Sequence, residues 1–183
     1  MSPPPGGRHN NSPPIHWWVF NGRQIINKRE GIDVSHSYVS NYIHFVFSTK
    51  GRENYLSNEI QDQLYSYIRG IIQNNDMKLI CIGGIENHIH ILVSISSNQS
   101  IAKFIQLIKG NSSKWINDTF SKYQKFQWQE GYGAFSISIS HLDSTIKYIN
   151  NQKEHHKKIT FKEEFIAFLK KHGIPYDGKY IYE

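Results

Sequence analysis

The run Glu86-Asn87-His88-Ile89-His90-Ile91-Leu92-Val93 sets two imidazoles two residues apart in a β-forming stretch. Side chains alternate across a strand, so His88 and His90 share one face and Ile89, Ile91 and Val93 the other. Two imidazoles on one face can hold a cation between them. The spacing suits two solvent-facing histidines on a half-buried strand as well, because a His-x-His triplet is short and common by chance. A second stretch, Tyr148-Ile149-Asn150-Asn151-Gln152, bears on that choice. On a helix, residues four apart lie on one face, so Tyr148 and Gln152 point the same way. A phenol is a latent oxygen nucleophile. Each residue alone also fits a plain role: Tyr148 is one of 11 tyrosines and stands beside Ile146 and Ile149, as a half-buried core aromatic would.

The elements that must position these residues can be read in chain order. Met1 to about Val34 mixes Pro, Gly, Asn and Arg around one apolar island, Ile15-His16-Trp17-Trp18-Val19-Phe20, and holds five of the six prolines. No period persists there, so residues 1–34 read as a flexible extension and 35–183 as a single domain. Tyr38 to Ser48 is rich in β-formers and is the first strand. Ser57 opens a helix to about Asn75, with Ile60, Leu64, Tyr67, Ile68, Ile71 and Ile72 on its apolar face. Met77 to Ile85 is the second strand, with a bulge or bend expected at Gly83-Gly84, and it joins the His-x-His strand through a tight turn at Glu86-Asn87.

Ser100 opens a second helix with Ile101, Phe104, Ile105, Ile108, Trp115 and Phe120 as its stripe. Lys103, Lys109, Lys114 and Lys122 lie off the stripe, as a solvated face or as phosphate contacts. Ala134 to Ser140 alternates as a fourth strand, and Ser140-His141-Leu142-Asp143 reads as a cap for the helix bearing Tyr148. A final helix spans Phe161 to Lys171, closed by Gly173 and Pro175. The order β-α-β-β-α-β is the ferredoxin-like pattern: an α+β fold, an antiparallel sheet with helices on one face, plus C-terminal helices. The His-x-His strand is then internal. Its histidine face must be wet, or covered by the Tyr148 helix or by a partner subunit.

Composition narrows the partners. Lys plus Arg number 21 against 15 Asp plus Glu, for a net charge of +6, and aromatics make up 14%. A basic, aromatic-rich chain suits nucleic acid, whose bases stack on rings. Cys81 is the only cysteine, which favours a reducing, cytoplasmic setting. No apolar run approaches the roughly 20 residues of a membrane span, and no signal peptide is apparent.

The combination resembles the HUH single-tyrosine transposases of the IS-two-hundred-like and REP-associated groups. His88-Ile89-His90 fits the His-hydrophobic-His motif, and Asn87 precedes it where the family has Asp or Asn. Tyr148 to Gln152 fits the family's Tyr-Ile-x-x-Gln helix, followed by Glu154-His155-His156. Gly131-Tyr132-Gly133-Ala134-Phe135-Ser136 fits its approach to the fourth strand. The resemblance covers about Ser37 to Tyr180.

It implies a transposase that cleaves and rejoins single-stranded DNA through a 5′-phosphotyrosine, leaving a free 3′-OH. Tyr148 would be the nucleophile, and His88, His90 and Gln152 the ligands of Mg²⁺ or Mn²⁺. The DNA would carry subterminal hairpins. The enzyme would be a homodimer, in which the tyrosine helix can complete the partner's active site. Three other readings stay open: a domesticated member that processes host repeat DNA, a non-catalytic single-stranded nucleic-acid module on the same sheet, and a metal-dependent hydrolase with no tyrosine intermediate. The second lacks exposed aromatics on the presumed open face. The third lacks an evident Asp/Glu cluster near the histidines.

Overall fold

The computed structural model describes residues 39–120, 122 and 125–178. The expected 1–34 extension, with Trp17 and Trp18, lies outside the described residues.

Four strands form one antiparallel sheet: β1 (Tyr42–Ser48), β2 (Lys78–Ile85), β3 (His88–Ser94) and β4 (Gly133–Ile137). Their spatial order is β2-β3-β1-β4, all pairs antiparallel, which is the expected ferredoxin-like topology with β3 and β1 inside. α1 (Asn58–Gln73) and α2 (Ile101–Thr119) connect the strands and cover one face. Ile43, Phe45 and Phe47 of β1 and Ile89, Ile91 and Val93 of β3 meet Leu64, Ile68 and Ile72 of α1 and Phe104 and Ile108 of α2 in the main core. Each such side chain contributes about 1.5–3 kcal/mol by leaving water. Ser100 caps α2 by accepting from the Lys103 amide.

The opposite face is covered by this chain's own C-terminal helices: α3 (Leu142–Asn150), the short α4 (Gln152–His155) and α5 (Phe161–Lys171). Val46, Phe135, Phe161 and Leu169 form a second, smaller core there, flanked by Phe165 and Phe168. Of the three options for the histidine face, the structure takes the covered one. His88 and His90 are fully buried, not solvent-facing.

Five local expectations change. Ser57 stands at the start of α1 but its side chain makes no capping hydrogen bond. The register irregularity of β2 lies between Leu79 and Cys81, not at Gly83-Gly84. The Ser140 hydroxyl bonds with Ser138 and His141 inside a 3-10 turn, Ile139–His141, and does not cap α3. Ile101 leaves the α2 stripe and is 38% exposed. Lys109 is not a free surface charge: its ammonium donates to the Gln129 and Gly131 carbonyls and lies over the Phe47 ring. Lys114 is the ordinary solvated case, paired with Asp118. The final helix forms as read, with a Thr160–Glu163 capping box and Gly173 at φ 63° beyond its end.

Candidate active site

β3 supplies the first half of the site. His88 Nδ1 is 2.8 Å from Asn87 Oδ1, and His90 Nδ1 is 2.9 Å from His44 Nε2 of β1. Each contact ties down the outer ring nitrogen and turns Nε2 toward the space under the C-terminal helices. Partners of this kind fix the tautomer and orientation of metal-binding imidazoles. Burial, then the neighbouring His90, holds His88 well below its ordinary value; burial and His90 do the same to His44. His88 is therefore neutral at pH 7, with a ring nitrogen free to act as a ligand.

β2 positions the tyrosine helix. Gly83 stands opposite His90 in the sheet, and a Cβ built on Gly83 would lie 2.6 Å from the Ile149 carbonyl oxygen of α3. Only a glycine lets the helix backbone approach so closely. The Cys81 thiol donates to Asn150 Oδ1 at 3.1 Å on the same contact. The helix then breaks at Asn151 (φ −101°, ψ 18°), so Tyr148 and Gln152 do not share one continuous helix. The break still keeps them together: the Gln152 amide nitrogen lies 3.5 Å from the Tyr148 carbonyl, and its Oε1 lies 3.3 Å from His88 Nε2. If neutral His88 donates from Nδ1 to Asn87, both of these facing atoms are acceptors, an arrangement that a cation reconciles.

α5 closes the site with Glu164, which is 2% exposed. The Tyr148 hydroxyl donates to Glu164 Oε1, and the Gln152 amide donates to the same oxygen at 3.2 Å. The other oxygen, Oε2, lies 3.5, 3.4 and 3.4 Å from Nε2 of His88, His90 and His156. Burial pushes the Glu164 carboxyl up, but His156, His90 and His88 outweigh it and hold the carboxyl well below the usual range. The same charge acts the other way on Tyr148: burial and then Glu164 push the phenol up. His156 loses by burial and gains more from Glu164, so it is raised.

A divalent ion fits this donor set. One ligand atom each from His88, His90, His156 and Glu164 lies within 4.8 Å of all the others. Beside the cluster a cleft of about 350 Å³ reaches Tyr148 between Ile137, Thr145, Phe168, Lys171 and His172. Lys171 is cationic, so an anion entering the cleft meets a positive side chain at its rim, while burial and Lys171 hold His172 low and neutral. A larger hollow of about 770 Å³ opens on the other side of the sheet, by Lys50, Gln106, Lys109 and Tyr132, and holds none of His88, His90, Tyr148 and Gln152.

All four residues singled out from sequence, His88, His90, Tyr148 and Gln152, meet here. Tyr132, another tyrosine in the family-like stretches, packs toward Phe45 on the opposite face. His44, His156 and Glu164 are missing from the sequence-based set. Glu164 had a legible signal: Phe161, Glu164, Phe165 and Phe168 fall at i, i+3, i+4 and i+7, so a carboxylate sits on an apolar stripe. A buried carboxylate needs a partner.

Comparison with known proteins agrees with the fold and extends it. The chain is 25% identical over 119 residues to the ISDra2 transposase TnpA of Deinococcus radiodurans, covering 61% of this chain and 83% of that protein. Among solved structures, a Deinococcus radiodurans chain described as a transposase candidate superposes with a TM-score of 0.54 at 23% identity, over 66% of this chain and 98% of that one. A REP-associated tyrosine transposase bound to a REP hairpin gives 0.53 at 12% identity, over 70% and 76%. These two likenesses are of fold. The family described as "Transposase IS200 like" matches residues 37–152, a span that takes in the His-x-His strand, Tyr148 and Gln152, and this chain belongs to that family.

Proposed function

We propose that this protein cuts and rejoins single-stranded DNA, with Tyr148 as the nucleophile and a divalent cation held by His88 and His90 with Gln152 at its edge. The observation that carries the reading is the meeting of the Tyr148 hydroxyl, both histidines of the His-x-His strand and Gln152 around one buried carboxylate.

In this reading the Tyr148 oxygen attacks a backbone phosphorus. The new bond is a 5′-phosphotyrosine, the broken bond is P–O3′, and the departing oxygen takes a proton to leave a 3′-OH. The ester conserves the bond energy, so attack by a 3′-OH on the phosphotyrosine rejoins DNA without ATP. When bound, Mg²⁺ or Mn²⁺ would act as a Lewis acid on the phosphate oxygens. The chain's own part is positioning: the Gly83–Ile149 approach sets α3 against the sheet, and α5 covers the reacting groups from water. Lys171 at the cleft would meet the DNA backbone.

The hairpin-bound relative of the same fold supports a hairpin-bearing substrate. We further expect a homodimer working in the cytoplasm. Since Tyr148 already reaches the histidines of its own chain, each subunit of such a dimer would carry a complete site. No helix among the described residues is long and apolar enough to cross a membrane.

The experiment is incubation of the protein with single-stranded oligonucleotides bearing hairpins, with Mn²⁺ or with a chelator, followed by a denaturing gel. A protein–DNA adduct that forms only with the metal supports the reading. Strand breakage with no adduct favours a metal-dependent hydrolase, and DNA binding with neither favours a non-catalytic module.

A further inference from the structure

His156 and Glu164 lie beyond the family match, which ends at residue 152, yet both enter the histidine cluster. We propose that they complete the metal site, giving a shell of three imidazoles and one carboxylate that prefers Mn²⁺ to Mg²⁺. The inference rests on the reading of His88 and His90 as metal ligands.

Three imidazoles are oriented alike. The outer nitrogen of each is engaged: His88 with Asn87 Oδ1, His90 with His44, and His156 with the Ile159 carbonyl at 2.9 Å. Each inner nitrogen, Nε2, then faces Glu164 Oε2 at 3.4–3.5 Å. His90 Nε2, His156 Nε2 and Glu164 Oε2 are buried and have no hydrogen-bond partner. Buried polar atoms without a partner are rare and costly, and three that converge on one point call for a shared occupant. A divalent cation satisfies all of them at once and offsets the burial of the carboxylate charge.

The donor types choose among cations. Imidazole nitrogen suits first-row transition ions, whereas Mg²⁺ demands oxygen ligands and gives up water reluctantly. Mn²⁺ is the weakest binder of that series and shares the liking of Mg²⁺ for carboxylate, but it accepts imidazole where Mg²⁺ does not, so a set with one carboxylate and three imidazoles favours Mn²⁺ over Mg²⁺. The carboxylate also takes up one unit of the metal's charge, so the shell is not the all-neutral one that His88, His90 and Gln152 alone would form. Gln152 donates to Glu164 and so braces the carboxylate of the shell, while its own Oε1 faces His88 Nε2 at 3.3 Å.

The test is Mn²⁺ and Mg²⁺ binding to the metal-stripped full chain, read by calorimetry and by loss of the free Mn²⁺ EPR signal. The proteins are wild type, the His88→Ala/His90→Ala double variant, His156→Ala and Glu164→Gln. Wild type should bind one Mn²⁺ at least about tenfold more tightly than Mg²⁺, and the double variant should bind none. His156→Ala and Glu164→Gln should each lose more than about 100-fold, beyond the roughly 10–100-fold that loss of an outer-shell partner costs. X-ray absorption on Mn²⁺-loaded wild type should count three imidazoles, a result that needs no variant to fold. Failure of wild type to bind either ion would overturn this inference together with the metal reading beneath it. Binding lost in the double variant but kept within 100-fold in the two single variants, two imidazoles in the absorption spectrum, or equal affinity for Mg²⁺ would overturn this inference alone.

Discussion

The hydroxyl of Tyr148 on α3 donates to the carboxylate of Glu164 on α5, so the candidate nucleophile and a buried charge are joined across two helices. Tyr148→Phe is therefore not silent for stability. It removes a hydrogen bond to a charged acceptor, worth about 1.5–3 kcal/mol. Thermal melting of the metal-free variant should fall by roughly 3–12 °C at about 2–4 °C per kcal/mol for a chain of this size. Equal melting of variant and wild type would show that the bond contributes nothing in solution.

Gly83→Ala tests how α3 is seated. The added methyl would press on the Ile149 carbonyl, backbone against backbone, where nothing can rotate away. Overpacking of this kind costs about 1–3 kcal/mol. Because Tyr148 precedes Ile149, cleavage should fall by more than tenfold while hairpin DNA binding holds. A variant that cleaves like wild type would mean that α3 does not sit on β2 during the reaction.

The buried histidines set the response to acid. His88 and His44 are held well below the ordinary value of about 6.5, chiefly by burial. Between pH 7 and pH 5 the unfolded chain takes up protons at both sites and the folded chain does not. The unfolded state then binds more protons, so stability rises with pH and falls on acidification. His156, raised by Glu164, has the opposite sign: its contribution is full below about pH 6.5 and is lost as pH rises through its folded value. The more exposed His155 and His172 are held low as well, so the lowered histidines outweigh the raised one and metal-free protein should lose on the order of 2 kcal/mol from pH 7 to pH 5. Urea midpoints at pH 5, 6 and 7 measure this; a midpoint that rises toward pH 5 would contradict it.

Much of this was legible in the sequence because it rests on local periodicity. The alternation of His88-Ile89-His90-Ile91 places imidazoles and core on opposite faces, and the structure keeps both. Four-residue spacing brings Tyr148 to Gln152 even though the helix breaks between them, since Asn151 turns the chain without changing its direction enough to part them. What escaped depends on tertiary approach. Gly83-Gly84 resembles a bulge from sequence, and only the seating of α3 shows why side chains are excluded there. Glu164 stands out from sequence only as a carboxylate on an apolar stripe, and its partners, the histidines of β3, become visible only when α5 is laid across that strand.

The N-terminal residues invite a simple test. Residues before Ser35 are rich in Pro, Gly and Asn, a composition from which we expect no contribution to the stability of the domain. A chain beginning at Ser35 should melt within about 2 °C of the full chain, a shift worth under ~1 kcal/mol, and cleave at the same rate. A marked loss of solubility or activity would mean that Trp17, Trp18 and Phe20 dock on the domain.

Whether the sites are shared between subunits follows from mixing variants. The account predicts a dimer by light scattering and no rescue when a His88→Ala/His90→Ala protein is mixed with a Tyr148→Phe protein. The reason is that Tyr148 lies 5.9 Å, ring to ring, from His90 of its own chain. Recovery of cleavage in the mixture would show that α3 serves the other subunit.

The most direct test of the account is to map the covalent bond. Wild-type protein is reacted with a hairpin-bearing single-stranded oligonucleotide and Mn²⁺, digested, and the nucleotide-bearing peptide sequenced by mass spectrometry. The account predicts a single modified residue, Tyr148, joined to a 5′-phosphate, and no adduct with Tyr148→Phe. An adduct on another tyrosine, or an undiminished adduct with the Phe variant, would contradict it.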